Sequence, residues 1–295
     1  MGKPHPREAL TWLATKLNEK IKGFSPITDP DPIVDPPSAK VRFERAYTNA
    51  IAQFEEINLD SNELIASVLS FGFQKITEIS NIKDQPIEGF IVKSIKEVTP
   101  RSKNSGWLNF KIVGEENGEL AVIGIAVLQQ THGLSVGAGF RRLLDTETFG
   151  LSRGCLVRSR DRKIHRNWDS YAYYQQLTAN GGEWVDLTAE DIKPLMALQY
   201  VYEHREKFDL SIKRLDSFAF VRKLLQQNPL IKEILSRPEG LMVEAALEGE
   251  VLQPLNEDVD PHDFDEDLLR SLEAEAADET AAQPNLAEFT EALSA

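Results

Sequence analysis

The sequence predicts a mixed α/β fold in which a three-strand antiparallel meander runs into a β-α-β crossover flanked by helices. Three observations carry that expectation. Residues 90–98, 107–113 and 120–128 have strand length and are rich in Val, Ile and Phe, the first of them alternating. Between the last two lies Glu115-Glu116-Asn117-Gly118-Glu119, and Asn-Gly is the pair that best tolerates the positive φ angles of a tight hairpin turn. After the third strand the pattern becomes helical over 136–148 before a short apolar strand, 154–157. A helix of that length between two strands is a crossover, so the two strands run parallel.

The remaining elements succeed one another along the chain. Leu10, Leu13, Leu17 and Ile21 fall at helical spacing, which predicts an amphipathic arm over 1–25. Five prolines between Pro26 and Pro37 deny the next stretch a helix, so 26–38 reads as an extended linker. Ser38 is placed to cap a helix with Val41, Tyr47, Ile51 and Phe54 on its apolar face, and Asp60 with Glu63 has capping-box spacing for a second helix over 64–73. Val136-Gly137-Ala138-Gly139 reads as a turn that needs small residues. Past the crossover, 167–178 reads as a helix closed by Gly181-Gly182, 184–187 as a fifth strand, and 189–204 as a helix capped by Thr188. Residues 210–235 look helical and end at Pro238. The expected domains are a core over 39–205, helices packed on it over 206–239, and a tail over 240–295.

Charge is distributed unevenly. The chain holds 33 Lys or Arg and 47 Asp or Glu, but 17 of the acids and only one base, Arg270, lie from Pro238 onward. The body is therefore close to neutral. Self-repulsion and few aromatic residues predict a disordered tail from residue 240, with two amphipathic pieces around Leu268 and Phe289 suited to docking on a protein partner. A single cysteine, Cys155, leaves no intramolecular disulfide and fits a reducing cytoplasm. Residues 1–8 hold no apolar stretch, and no run of 18 apolar residues exists, so neither a secretory signal nor a membrane partner is expected.

One segment concentrates positive charge. Arg141, Arg142, Arg153, Arg158, Arg160, Arg162, Lys163 and Arg166 face only Asp145, Glu147 and Asp161 in the same stretch. Such a patch suits a phosphate backbone, and Arg158, Arg160 and Arg162 would share one face of an extended segment. Trp168, Tyr171 and Tyr174 come next, residue types that stack on unpaired bases, although Tyr171 and Tyr174 also have ordinary core spacing.

The order helix, meander, helix, strand, helix resembles the restriction-endonuclease-like (PD-(D/E)XK-type) nuclease core over residues 39–205. The resemblance implies carboxylates on the second and third strands that hold Mg²⁺, followed by a lysine near the attacking water. This chain departs from that motif. Its third strand ends Ala126-Val127-Leu128-Gln129-Gln130-Thr131-His132, with no lysine two residues after either glutamine, and the preceding strand offers Asn109. The expectation is a degenerate site: a protein associated with DNA, RNA or an enzyme that handles them, without cofactor, whose acidic tail recruits a partner or shields the basic face. By analogy to that family alone, a phage-defence or mobile-element setting would suit it. Two alternatives stand beside it. One is an active Mg²⁺-dependent nuclease with a displaced site of Glu115, Glu116 and Gln129. The other is an adaptor that touches no nucleic acid. The sequence lacks a phosphate-binding Gly-rich loop followed by Lys-Ser/Thr, zinc-ligand spacing and a Gly-x-Ser-x-Gly elbow.

Overall fold

The computed structural model describes residues 37–54, 59–98 and 106–249. The chain separates into two compact units, 1–38 and 39–295, and the second holds all of the secondary structure described. The expected arm over 1–25, nearly all of the linker, and the tail beyond Gly249 lie outside the described residues.

Helices α1 (Ala39–Gln53) and α2 (Asn62–Glu78) precede a meander of β1 (Phe90–Glu97), β2 (Phe110–Glu116) and β3 (Glu119–Val127). Then come α3 (Gly133–Leu144), the single turn α4 (Thr146–Phe149), β4 (Arg153–Arg158), the two-residue β5 (Ile164–His165) and α5 (Asp169–Ala179). The order continues with β6 (Glu183–Asp186), α6 (Ala189–Glu203), α7 (Ile212–Val221), α8 (Pro229–Leu235), a 3₁₀ turn (Glu244–Ala246) and β7 (Leu247–Glu248). Five strands form one mixed sheet, β1-β2-β3-β4-β6. The meander pairs antiparallel, whereas β3-β4 and β4-β6 pair parallel, as the crossover lengths require. The hairpin is the one that Asn117-Gly118 predicts, with φ of 52° and 84°.

Side chains of the central strands alternate between two cores. Ile123, Ile125 and Val127 join Cys155, Val157 and Val185 on the face covered by α1, α2, α6, α7 and α8. Ala126, Leu128, Leu156 and Trp184 turn to the other face, where α3 and α5 pack side by side. With both faces covered, β4 is buried along its whole length, which is why it reads as a short apolar run rather than an alternating one. Gly139 lets α3 approach the sheet: a Cβ there would sit 2.2 Å from Leu128 Cδ1. The small residues 136–139 thus lie inside a helix, not in the expected turn.

Several local features differ from what spacing alone predicts. Phe43, Ala46, Tyr47 and Ala50 form the buried stripe of α1, while Val41 is exposed, so the apolar face is rotated from the expected one. Ser61 rather than Asp60 caps α2, its hydroxyl accepting from Leu64 N at 3.2 Å. The helical stretch over 210–235 is two helices, because Asn228 caps a new one through Ile231 N at 3.1 Å and Pro229 stands at its first position.

The largest correction concerns residues 240–249, expected to be disordered. They dock on the body: β7 pairs in parallel with β5, Ala246 is buried, and Val243 N donates to Tyr174 OH at 2.7 Å. No described helix is long and apolar enough to cross a membrane.

Candidate functional site

Two concavities bear on function. The larger is a cleft of about 740 Å³ between α2 and the β1–β2 edge, lined by Glu63, Ser67, Ser70, Gln74, Lys93 and Asn109 among others. Asn109 stands just before β2, and its backbone N–H donates to Ile125 O at 2.8 Å. Its side-chain Oδ1 accepts from Val127 N at 2.7 Å, extending the β2–β3 pairing past the last ladder bond. An amide supplies no charge to a hard dication, and the Val127 side chain supplies no ligand. Among the described residues no group of three His, Cys, Asp or Glu is placed to hold a metal.

The displaced site of Glu115, Glu116 and Gln129 is not assembled. Glu115 and Glu116 lie at the hairpin end, Glu116 opposite Glu119, whereas Gln129 stands past the far end of β3. Eight strand steps alone separate the two ends by roughly 26 Å. Each residue has another task. Glu115 lies 3.6 Å from Lys93 Nζ, and both oxygens of Glu116 accept from Arg153 Nη1 at 2.9 and 3.1 Å. Gln129 is buried and ties three segments together: Asn62 Oδ1 accepts from its backbone N–H at 2.8 Å, and its Oε1 accepts from Ser159 N at 3.3 Å.

The basic stretch is likewise dispersed. Of its eight cations only Arg160 is exposed, and it pairs with Asp186 at 3.0 Å. Arg158 is fully buried in β4, donating to Leu128 O at 2.5 Å and Arg162 O at 2.8 Å, so it does not share a face with Arg160 and Arg162. Burial pushes its pKa down to about 10, and it has no ion-pair partner among the described residues. Arg153 is buried against Glu116, and its Nη2 donates to Ser236 O at 3.0 Å. Arg162 pairs with Asp60, Lys163 donates to Ala245 O, and Arg166 pairs with Glu244 and donates to Tyr171 OH at 3.4 Å. Arg142 lies 5.7 Å over the Trp107 ring and bonds Ala138 O. Arg141 is half-buried and lines the second concavity. A count of charges along the chain could not foresee this, because six of these partners lie between 26 and 102 residues away.

Free positive charge lies elsewhere. From Arg205 to Arg237 there are eight basic and four acidic residues. Lys213, Arg214 and Lys223 are exposed there, and Lys40 and Arg45 on α1 are exposed too; none of the five makes an ion pair among the described residues. Helices α1 and α7 meet through Phe43 and Phe218, stacked at 4.9 Å. Lys213 and Arg214 stand in the first turn of α7, which has no acid and no side-chain cap, so their charge opposes the helix dipole. Local helix chemistry does not account for them. The sequence signal existed, but it is weaker per residue than that of 141–166.

The second concavity, of about 360 Å³, lies at the carboxyl ends of β3 and β4, where α3 and α5 begin. It is lined by His132, Gly133, Arg141, Trp168, Ser170 and Tyr173 with their neighbours. Burial raises the Tyr173 phenol above its usual range, Arg141 opposing and Asp169 adding to the shift. Comparison with protein-family models, with curated proteins and with solved structures finds no match to this chain.

Proposed function

We propose that this chain is a nucleic-acid-associated protein that uses a restriction-endonuclease-like scaffold to hold its partner without cutting it. The observation that carries the reading is the Asn109–Val127 pairing at the large cleft. In the family the chain resembles, the corresponding strands bring metal-binding carboxylates together, whereas here the Asn109 amide oxygen accepts from the Val127 backbone N–H and Gln129 is engaged with Asn62 and Ser159. The order of helix, meander, crossover helix and parallel strand supports the scaffold. The partner is met on the α1–α7 side, through Lys40, Arg45, Lys213, Arg214 and Lys223, rather than through residues 141–166.

The test is anisotropy titration of DNA and RNA with the full chain over a salt series, with and without Mg²⁺. Binding that weakens steeply with salt, and falls about tenfold or more when Lys213, Arg214 and Lys223 are reversed to Glu, is the expected result. Reversal of Arg160 and Arg162 should leave affinity nearly unchanged. Absence of binding at low salt, or binding indifferent to the first triple variant, overturns the reading. Mg²⁺-dependent shortening of the probe restores the nuclease.

One observation favours a second reading, an adaptor for proteins: seven of the eight cations of 141–166 are buried or half-buried, and Lys163 and Arg166 anchor the root of the acidic tail. On that reading the chain presents the tail to a basic partner. Its pull-down would be lost with residues 250–295 and indifferent to nuclease treatment.

A further inference from the structure

The smaller cavity has the parts of a ligand site. Helix α3 enters it with a first turn that has no acid and no side-chain cap, since His132 makes no capping bond. Its first turn lines the concavity, and neither a capping side chain nor an acid of its own turn offsets the positive dipole end there. Trp168 covers this turn closely: a Cβ on Gly133 would come within 2.9 Å of the indole, so only glycine lets the ring and the backbone share the wall. Independently, two hydroxyls among the lining residues are left without partners. Ser170 and Tyr173 are each 1% exposed, and neither Ser170 Oγ nor Tyr173 OH has a hydrogen-bond partner among the described residues. A buried hydroxyl without a partner is costly, and two in one cavity, beside an uncapped helix start, point to a group that satisfies them on arrival.

The lining defines the ligand class. Donors from the α3 turn, Ser170 and Tyr173, with the Arg141 guanidinium in the same wall, suit a phosphate. Asp169 works against a bare anion, but it opens α5, where its charge offsets that helix's own dipole, and it is an acceptor for a hydroxyl next to the phosphate. Trp168 offers an aromatic face, and the volume is at the small end of the range for small-molecule pockets. We propose that this cavity binds a small phosphate monoester bearing hydroxyls and a planar ring, of mononucleotide size, with its phosphate on the first turn of α3 between Ser170 and Tyr173. The site does not depend on the chain's association with nucleic acid.

The test uses the full chain in calorimetric and thermal-shift titrations with AMP, inorganic phosphate and adenosine. AMP binds best, phosphate more weakly, and adenosine not measurably. The double variant S170A/Y173F loses about tenfold or more in AMP affinity while its melting temperature without ligand is not lowered, because neither hydroxyl has a bond to lose. Asp169→Asn binds phosphate more tightly and narrows the margin of AMP over phosphate, a change that a merely structural role would not produce. A 5′-phosphorylated oligonucleotide that binds more tightly than AMP makes the ligand a nucleic-acid end, and a weaker one makes it a free nucleotide. Failure of the wild-type chain to bind AMP at millimolar concentration overturns the proposal. So does AMP affinity that is the same in the wild type, in the double variant and in Asp169→Asn.

Discussion

Arg153 Nη1 donates to both carboxylate oxygens of Glu116, at 2.9 and 3.1 Å, across the intervening strand β3. One partner has the chemistry of a metal ligand and the other that of a phosphate contact, and each cancels the other. The pair is buried on the arginine side, with Arg153 5.8 Å over the Phe90 ring, so solvent screening is weak there.

Breaking this pair should therefore cost stability and nothing else. Arg153→Met leaves Glu116 half-buried without its cation and should destabilise by about 2–4 kcal/mol in urea denaturation. Glu116→Gln should cost less, and a double-mutant cycle should return a coupling above about 1 kcal/mol. Nucleic-acid affinity unchanged by either variant marks a structural pair; a large loss of affinity with intact stability would return Arg153 to the interface.

Arg158 makes a second structural prediction. Its guanidinium satisfies the carbonyls of Leu128 and Arg162, and its own carbonyl accepts from Trp184 Nε1 at 3.0 Å. Lysine cannot reproduce a planar fork that reaches two carbonyls at once. Arg158→Lys should lower stability by about 1–3 kcal/mol, read by calorimetry, and should loosen the loops after β3 and β4 in hydrogen exchange.

Glu183 gives the chain a pH dependence. Burial raises its pKa from 4.5 to about 8; Arg153 lowers it, while Glu233 and Glu116 raise it further. Its Oε1 has no partner among the described residues. The folded state thus holds a proton that the unfolded chain releases above about pH 4.5. Stability from this group is full below that value and is lost as pH rises towards 8. Glu183→Gln should flatten the stability profile between about pH 5 and 8 and should raise stability at about pH 8 by about 1–3 kcal/mol. An unchanged slope in pH-dependent denaturation would show that Glu183 does not set it.

The docked segment 240–249 divides the tail in two. A chain ending at Gly249 keeps the contacts of residues 240–249 named above and should melt like the full chain. A chain ending at Glu239 uncovers the pocket of Ala246, leaves Tyr174 OH without Val243 N, and parts Lys163 from Ala245 O and Arg166 from Glu244. It should lose about 1–3 kcal/mol and should gain affinity for anionic probes at low salt. Equal melting of the two truncations would show that the docking adds nothing.

The main secondary-structure elements were legible in the sequence, but not α4, the β5–β7 pair or the break within 210–235. Periods of 2 and 3.6, the Asn117-Gly118 turn and the crossover length predict the meander and the parallel pairs, because those signals act over a few residues and depend on backbone geometry alone. The charge imbalance between body and tail is equally plain in the chain. Which charges remain free is a matter of tertiary pairing. Arg162 meets Asp60, Arg153 meets Glu116 and Arg166 meets Glu244, and none of these partners is near in the chain. The same holds for the smaller cavity, where the starts of α3 and α5 bring Gly133 beside Trp168. Local propensity fixes where a side chain sits on its own element. The charge a surface presents is a difference between pairings, and the packing of the sheet between its two layers of helices sets those pairings.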